Sequence, residues 1–200
     1  MIDAYDPLNY DNLARSVVAA LLEKEPEPLP PIKLFGGAGV YAIYYTGDFK
    51  AYTLISKPKY KTPIYVGKAI PAGGRKGQTG VTPSSGNELL KRLQEHAKSI
   101  EQVSNLHSGE FACRYLVVLP VWVSLAEQFL INHYRPIWNL VLDGFGNHPP
   151  GAGRKDMRRP RWDIVHPGRP WANKLVPEEK IEDLLVELGN FLTGKIDGKD

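Results

Sequence analysis

The chain has 200 residues, of which 42% are hydrophobic and 24% charged, a balance typical of one globular domain. Its single cysteine, Cys113, excludes an intramolecular disulfide and a cysteine-based zinc site, which fits a cytoplasmic protein, and we see no signal peptide or membrane-spanning run. The net charge of +3 is uneven, at −4 over residues 1–31, +11 over 32–175 and −4 over 176–200. Such a basic centre indicates either a polyanion partner or a lysine-rich solvated surface.

The first predicted element is an amphipathic helix over residues 10–24, and the proline-rich stretch 25–31 ends it as a stiff linker. Residues 39–47 and 63–69 are rich in β-branched and aromatic residues and are predicted as strands. Residues 50–56, between them, could extend a hairpin.

A Gly/Pro/Ser-rich loop over residues 70–87 follows and contains Arg75 and Lys76. Hydrophobic periodicity then alternates between the helical and the strand type. The predicted elements are a helix over 88–103, begun by a capping box of Ser85 and Glu88, a strand over 110–120, helices over 124–135 and 177–193, and an aperiodic region over 137–171.

This order predicts an α+β fold with a small, mostly antiparallel sheet of three or slightly more strands, flanked by helices. We divide the chain into an N-terminal helix and linker (1–35), a core with an inserted basic loop (36–142), and a basic loop region with a C-terminal helix (143–200). The three parts are expected to pack as a single structural domain.

Two triplets, Gly-Val-Tyr at 39–41 and Tyr-Val-Gly at 65–67, stand at the two strands. An arginine, Arg92, lies in the following helix, and Glu127 and Asn139 come after it in order. Together these features, with His96 one turn after the arginine, resemble the GIY-YIG nuclease superfamily and its type II restriction endonuclease branch. The resemblance implies the GIY-YIG fold and a site-specific endonuclease that cuts double-stranded DNA as a homodimer. It also hints at a GC-rich palindrome as the target.

Phosphodiester hydrolysis needs an aligned water, a proton acceptor and positive charge on the phosphate. We interpret Tyr41 as the residue that orients and deprotonates the water or relays its proton, with His96 tuning it. Lys68, just past the second triplet, is a rival base, and the sequence does not choose among the three. Alternation places Tyr41 on one face of its strand and Tyr44 on the other, so some tyrosines must simply fill the core.

Glu127 is the candidate ligand for one Mg²⁺, for which Mn²⁺ can substitute, because magnesium prefers oxygen ligands and keeps several waters. The alternative is a helix cap, since Ser124 and Glu127 have capping-box spacing. Arg92 would hold the phosphate and shares a helix face with His96; otherwise it is a surface arginine. Tyr65 would join this cluster or contact the phosphate, and Asn139 would position a phosphate or brace Tyr65.

Residues 151–175 carry a net charge of +5, with arginine predominating, and arginine is the commonest reader of guanine. We expect this segment and the 70–87 loop to embrace DNA; the alternative is an unspecific basic tail. The candidate DNA-binding residues are Arg75, Lys76, Arg154, Lys155, Arg158, Arg159, Arg161 and Arg169. Two other functions stay open: a repair or structure-specific nuclease with the same domain, and a DNA-binding protein without catalysis.

Overall fold

A computed structural model describes the chain at residues 6, 8–57, 59–71, 81–150 and 156–197, with side chains through residue 194. The predicted residues Arg75, Lys76, Arg154 and Lys155 lie outside this part of the chain.

One antiparallel sheet forms the centre of the fold, with its four strands in the order β1-β4-β2-β3. The strands are β1 (Glu27–Pro28), β2 (Gly39–Tyr45), β3 (Tyr65–Ala69) and β4 (Phe111–Val117). The predicted α+β class with a small antiparallel sheet is confirmed. The proline-rich stretch is more than a linker, because β1 lies in it and pairs with β4. Proline is tolerated there because β1 is an edge strand.

Seven α-helices surround the sheet in the described residues, and three short 3₁₀ turns connect them. The helices are α1 (Tyr10–Leu22), α2 (Thr53–Ser56), α3 (Glu88–Glu101), α4 (Pro120–Tyr134), α5 (Ile137–Leu140), α6 (Arg161–Val165) and α7 (Ile181–Asp197). The 3₁₀ turns are Lys50–Tyr52, Ser108–Glu110 and Ala172–Lys174. Among the described residues, no helix is both long and apolar enough to cross a membrane.

The sheet is buried on both faces, and every residue of β2 is buried. Alternation along β2 sends Tyr41, Ile43 and Tyr45 into one core and residues 40, 42 and 44 into the other, as the sequence predicts. The first core contains buried side chains of α3, α5, α6 and α7, and the second contains those of α1 and α4.

The stretch 50–56 is not a strand; it forms a 3₁₀ turn followed by α2. Tyr52 and Ile55, three residues apart, both enter the core, which a helical turn allows and an extended strand would not. Packing therefore overrides the β-propensity of this stretch.

The C-terminal helix α7 is part of the main core, because Leu184, Leu188 and Leu192 are buried in the cluster that also holds Tyr41. The segment after residue 142 thus packs against the sheet rather than extending from it.

Candidate active site

A buried polar pair in the main core joins strand β2 to helix α3. The hydroxyl of Tyr41 lies 2.5 Å from Nε2 of His96, and both side chains are at most 1% exposed. Burial, with a smaller contribution from nearby Arg92, holds the pKa of His96 well below its usual range. His96 is therefore neutral near pH 7. We assign its proton to Nδ1, so that Nε2 accepts the hydrogen bond that the Tyr41 hydroxyl donates. Burial, and then Tyr65, raise the pKa of Tyr41 well above its ordinary value.

Tyr65 extends this pair along the same face of the sheet. Its ring centre is 6.2 Å from that of Tyr41 and 5.2 Å from that of His96. Gly67, two residues on, lies directly opposite Tyr41 in the β2–β3 ladder. A Cβ at Gly67 would collide with the Tyr41 hydroxyl and lie 2.6 Å from its Cζ, so the close approach of the tyrosine requires glycine here.

Arg92 is the cation of the cluster, and three groups hold its guanidinium. Nη1 donates to Glu95 at 3.0 Å and to His148 at 2.8 Å, and Nη2 donates to the carbonyl of Gly146 at 2.8 Å. The i, i+4 spacing on α3 places Arg92 and His96 on one helix face, as the sequence predicts. A groove of about 240 Å³ opens beside Arg92 and His148, so solvent reaches this side of the cluster.

Lys68 and Glu127 meet on the opposite face of the sheet, since Lys68 pairs with Val40 rather than with a residue of the Tyr41 face. The Lys68 ammonium lies 2.8 Å from a carboxylate oxygen of Glu127 and 3.3 Å from the Ser124 hydroxyl. Besides burial, which is the main cause, the Glu127 carboxylate raises the pKa of both Tyr41 and Tyr65. The acid therefore acts electrostatically on the tyrosines across the edge strand β3.

Neither predicted capping box is present. Helix α4 begins at Pro120, a residue suited to the first helical turn, so Ser124 and Glu127 lie inside the helix. Glu127 is thus free of a capping role. At α3 the N-cap is Asn87, and Ser84 rather than Ser85 contacts the Glu88 carboxylate, at 2.9 Å.

Asn139 braces the edge strand. Its Oδ1 accepts from the N–H of Val66 and its Nδ2 donates to the C=O of Val66, both at 2.8 Å. Because these bonds satisfy the backbone of the residue between Tyr65 and Gly67, the asparagine fixes the second triplet. The bonds to Val66 agree with a bracing role, and contact between Asn139 and a phosphate stays a prediction.

Residues 144–148 complete the cluster, and they lie in the stretch predicted as aperiodic. The ring of Phe145 stacks on His96 with centres 4.5 Å apart and planes 19° apart. Gly146 contributes its carbonyl to Arg92, and a Cβ there would lie 2.9 Å from both the Tyr65 hydroxyl and Arg92 Nη2. The glycine-flanked aromatic in Gly-Phe-Gly-Asn-His was the available signal for a close approach.

The predicted DNA-binding arginines of the described region have different surroundings. Arg158 is exposed and pairs with Glu178 at 3.1 Å, so it remains accessible. Arg159 donates to backbone carbonyls of residues 172, 173 and 175. Arg161 binds Glu179 with two parallel bonds of 2.7 Å and also contacts Glu187 at 3.1 Å. These intramolecular bonds give Arg159 and Arg161 structural partners that the sequence did not reveal.

Arg169 is a clear correction. Its side chain is 1% exposed and forms a buried ion pair with Asp163, so the prediction that it contacts DNA is wrong. Burial of a guanidinium requires such complete pairing, and a DNA phosphate could not reach the group without unfolding it.

The antiparallel sheet carries two tyrosines from two Tyr/Gly triplets. An arginine and a histidine lie on the next helix, and a glutamate lies on a later one. These features define a nuclease of the GIY-YIG class. The family model of the Eco29kI GIY-YIG domain matches residues 33–190, and the chain belongs to this family of type II restriction endonuclease domains. The match includes the region after residue 142 that completes the site. A search of curated proteins finds no match.

Proposed function

We propose that the protein is a site-specific endonuclease that hydrolyses double-stranded DNA with a magnesium-activated water. The observation that carries this proposal is the convergence of Tyr41, Tyr65, Arg92 and His96 within one hydrogen-bonded and ring-packed cluster at the β3 edge, with the Glu127 carboxylate across that edge. Membership of a restriction endonuclease family supports DNA as the substrate.

Tyr41 would align the attacking water. Because the Tyr41 hydroxyl donates a hydrogen bond to neutral His96, the lone pairs of its oxygen remain to accept a hydrogen bond from water. As the water attacks phosphorus, one of its protons would pass to Tyr41 while the Tyr41 proton passes to Nε2 of His96. Burial disfavours the resulting imidazolium, and the negative phosphate would offset that penalty. This route assigns the base to the Tyr41–His96 pair, with Lys68 as the rival.

Arg92 would carry the positive charge that the phosphate needs. Glu95, Gly146 and His148 hold its guanidinium in one orientation, which avoids reorganisation during the reaction. Tyr65, packed against His96, would contact the phosphate from the same side.

Glu127 fits a divalent ion as a single protein ligand. It is partly exposed, offers carboxylate oxygens, and now contacts the Lys68 ammonium, so the position already accommodates positive charge. No group of three or more His, Cys, Asp or Glu side chains that could hold a metal occurs among the described residues, so waters and substrate phosphate would complete the shell of Mg²⁺. When bound, the ion would act as a Lewis acid on a phosphoryl oxygen, and Mn²⁺ can replace it.

Recognition would involve two active sites, because a palindrome cut on both strands calls for a homodimer. Among the predicted DNA-binding residues that the structure describes, Arg158 is the exposed one, with its side chain 58% exposed. We keep Arg75, Lys76, Arg154 and Lys155 as candidate contacts and a GC-rich palindrome as the candidate target.

Incubation of the purified protein with plasmid, in magnesium and with a chelator, tests the proposal. Discrete bands that vanish with the chelator would support a restriction enzyme. A smear would indicate a repair or general nuclease, and intact plasmid that is still bound would indicate a DNA-binding protein.

A further inference from the structure

Arg169 is the most completely bound charged residue of the described chain, and none of its contacts is with the reacting groups. It follows Gly168, and its guanidinium lies between the rings of Trp162 and Trp171, 4.7 Å from each centre. Nε donates to Asp163 Oδ1 at 2.6 Å, and Nη2 donates to Asp163 Oδ2. A fork-to-fork pair with a carboxylate fixes the plane of the guanidinium.

The remaining donors of Arg169 bind the backbone of one short segment. Nη1 donates to the carbonyls of Phe145 and Asn147 at 3.0 and 3.2 Å, and Nη2 donates to the carbonyl of Gly144 at 2.9 Å. One rigid planar group therefore determines the path of residues 144–147. Lysine could not do this, because a single ammonium cannot reach the carboxylate and three carbonyls in one plane.

Residues 144–147 are the segment that touches the site. The carbonyl of Gly146 accepts from Arg92, and the ring of Phe145 stacks on His96. A shift of this segment would rotate the guanidinium that faces the phosphate and loosen the imidazole that receives the Tyr41 proton.

We propose that Arg169 is a positioning residue for DNA cleavage, which places Gly146 and Phe145 so that Arg92 and His96 keep their reactive orientations. This inference rests on the proposed function. The charge of Arg169 adds to the effect, because it lies near enough to help keep His96 neutral, after burial, Arg92 and His148. The other titratable groups around His96 are Tyr41 and Tyr65 on the sheet and Glu95 on α3.

If the ion pair of Arg169 had only a structural role, its replacement would affect stability and not the cleavage rate, whereas replacement of a positioning residue would lower the cleavage rate. Buried ion pairs can often be replaced by apolar residues of similar volume without loss of stability. The double variant Asp163→Leu, Arg169→Met would keep an apolar, filled site but could not bind the three carbonyls. The double variant should therefore fold, but under the proposal it should cleave DNA more slowly than the unaltered protein.

The chain offers a matched control. Arg114 also binds backbone carbonyls, those of Lys24 at 2.7 Å and Tyr60 at 2.9 Å, and its guanidinium covers the ring of Tyr44. Its contacts lie in the core on the other face of the sheet, away from Arg92 and His96. Arg114→Lys should therefore lower stability without changing the cleavage rate of the folded protein.

The experiment compares Arg169→Lys, the double variant and Arg114→Lys in single-turnover and steady-state cleavage, well below their melting temperatures. We expect kcat to fall roughly 100-fold in both Arg169 variants, with KM within about twofold of the original, because a small misplacement of catalytic groups has that cost. Unchanged kcat with a lower Tm would overturn the proposal, and so would a raised KM with unchanged kcat, which would mean direct DNA contact.

A second readout does not require cleavage. Because the Phe145 ring stacks on His96, its ring current should shift the NMR signals of the His96 imidazole, which His96→Gln would assign. In Arg169→Lys we expect the His96 signals to move, and in Arg114→Lys to stay. Unmoved His96 signals in Arg169→Lys would overturn the inference. If the unaltered protein leaves plasmid intact, the proposed function fails, and the His96 signals still decide whether Arg169 places this segment.

Discussion

Two buried tyrosine–histidine pairs lie in the same core, and only one of them belongs to the site. Tyr41 bonds His96 and Tyr52 bonds His166, each through a hydroxyl 2.5 Å from Nε2. Burial lowers the pKa of both histidines, in His166 to about 3. The two pairs are thus alike in bond distance and in burial.

Their neighbours separate them. The Tyr52 hydroxyl also accepts from Trp138 Nε1 at 2.9 Å, and His166 Nδ1 donates to Asn105 at 3.0 Å, so this pair is saturated by neutral groups. The Tyr41–His96 pair instead has the charge of Arg92 beside it. Under the proposed function, the Tyr41–His96 pair takes part in the reaction because a cation, an anion and an open groove adjoin it, whereas the Tyr52–His166 pair only packs.

Of the substitutions that distinguish the two pairs, Glu127→Gln should have the largest effect on cleavage. The Glu127 carboxylate influences the pKa of Tyr41 but not that of Tyr52. We expect cleavage in magnesium to fall below detection while DNA binding persists, since Lys68 loses its carboxylate partner and keeps its charge. Gel shift and plasmid cleavage measure the two effects. Glu101→Gln, an exposed position at the end of α3, is the control, and full cleavage by the Glu127 variant would remove the carboxylate from the mechanism.

Tyr41→Phe tests the reactive pair itself. The ring keeps its packing and the proton path is lost, so the cleavage rate should fall about 10²–10⁴-fold with the fold retained. Circular dichroism and single-turnover cleavage check both parts. A rate equal to that of the unaltered protein would assign Tyr41 to the core alone and favour Lys68 as the base.

Tyr52→Phe is the mirror experiment on the saturated pair. It leaves the Trp138 N–H and the His166 ring nitrogen without their shared partner, so the free energy of unfolding should fall by about 2–4 kcal/mol. Urea unfolding measures this change, and cleavage at low temperature should be unaffected. A rate loss like that of Tyr41→Phe would mean that the two pairs are not functionally distinct.

Acid should weaken the fold through both histidines. The pKa of His166 is about 3 in the folded protein and near ~6.5 when unfolded, so the unfolded chain binds more protons between these values. For His166 this stability is complete above ~6.5 and falls as the pH decreases toward 3, by about 2 kcal/mol between pH 7 and 5. His166→Gln should remove its share of this loss, and equal acid sensitivity in the two proteins would contradict the assignment.

Local patterns predicted much of the molecule. The period-2 alternation of β2 separates Tyr41 from Tyr44, and the i, i+4 spacing on α3 brings Arg92 to the side of His96. The order along the chain of strands β2, β3 and β4 and of the long helices follows from the same periodicities, whereas β1 does not.

What the sequence could not reveal depends on contacts distant in the chain. The basic character of residues 151–175 indicated DNA contact, yet Arg169 is neutralised by Asp163 and by carbonyls about 22–25 positions away. The stretch with Tyr52 has strand-like composition, but it is helical in the fold, where Tyr52 packs against the distant Trp138 and His166. The charge and the secondary-structure propensity of a residue can be read from the sequence. Its burial and its partners depend on the tertiary structure.

The missing side chain of Gly67 makes the two triplets depend on each other. The Tyr41 hydroxyl occupies the place where a side chain at position 67 would stand, so neither residue can be substituted independently of the other. A larger residue at position 67 would displace the Tyr41 phenol from His96. A library that randomises both positions together should therefore recover glycine wherever it recovers an aromatic at 41, and tolerate bulk only where position 41 has shrunk.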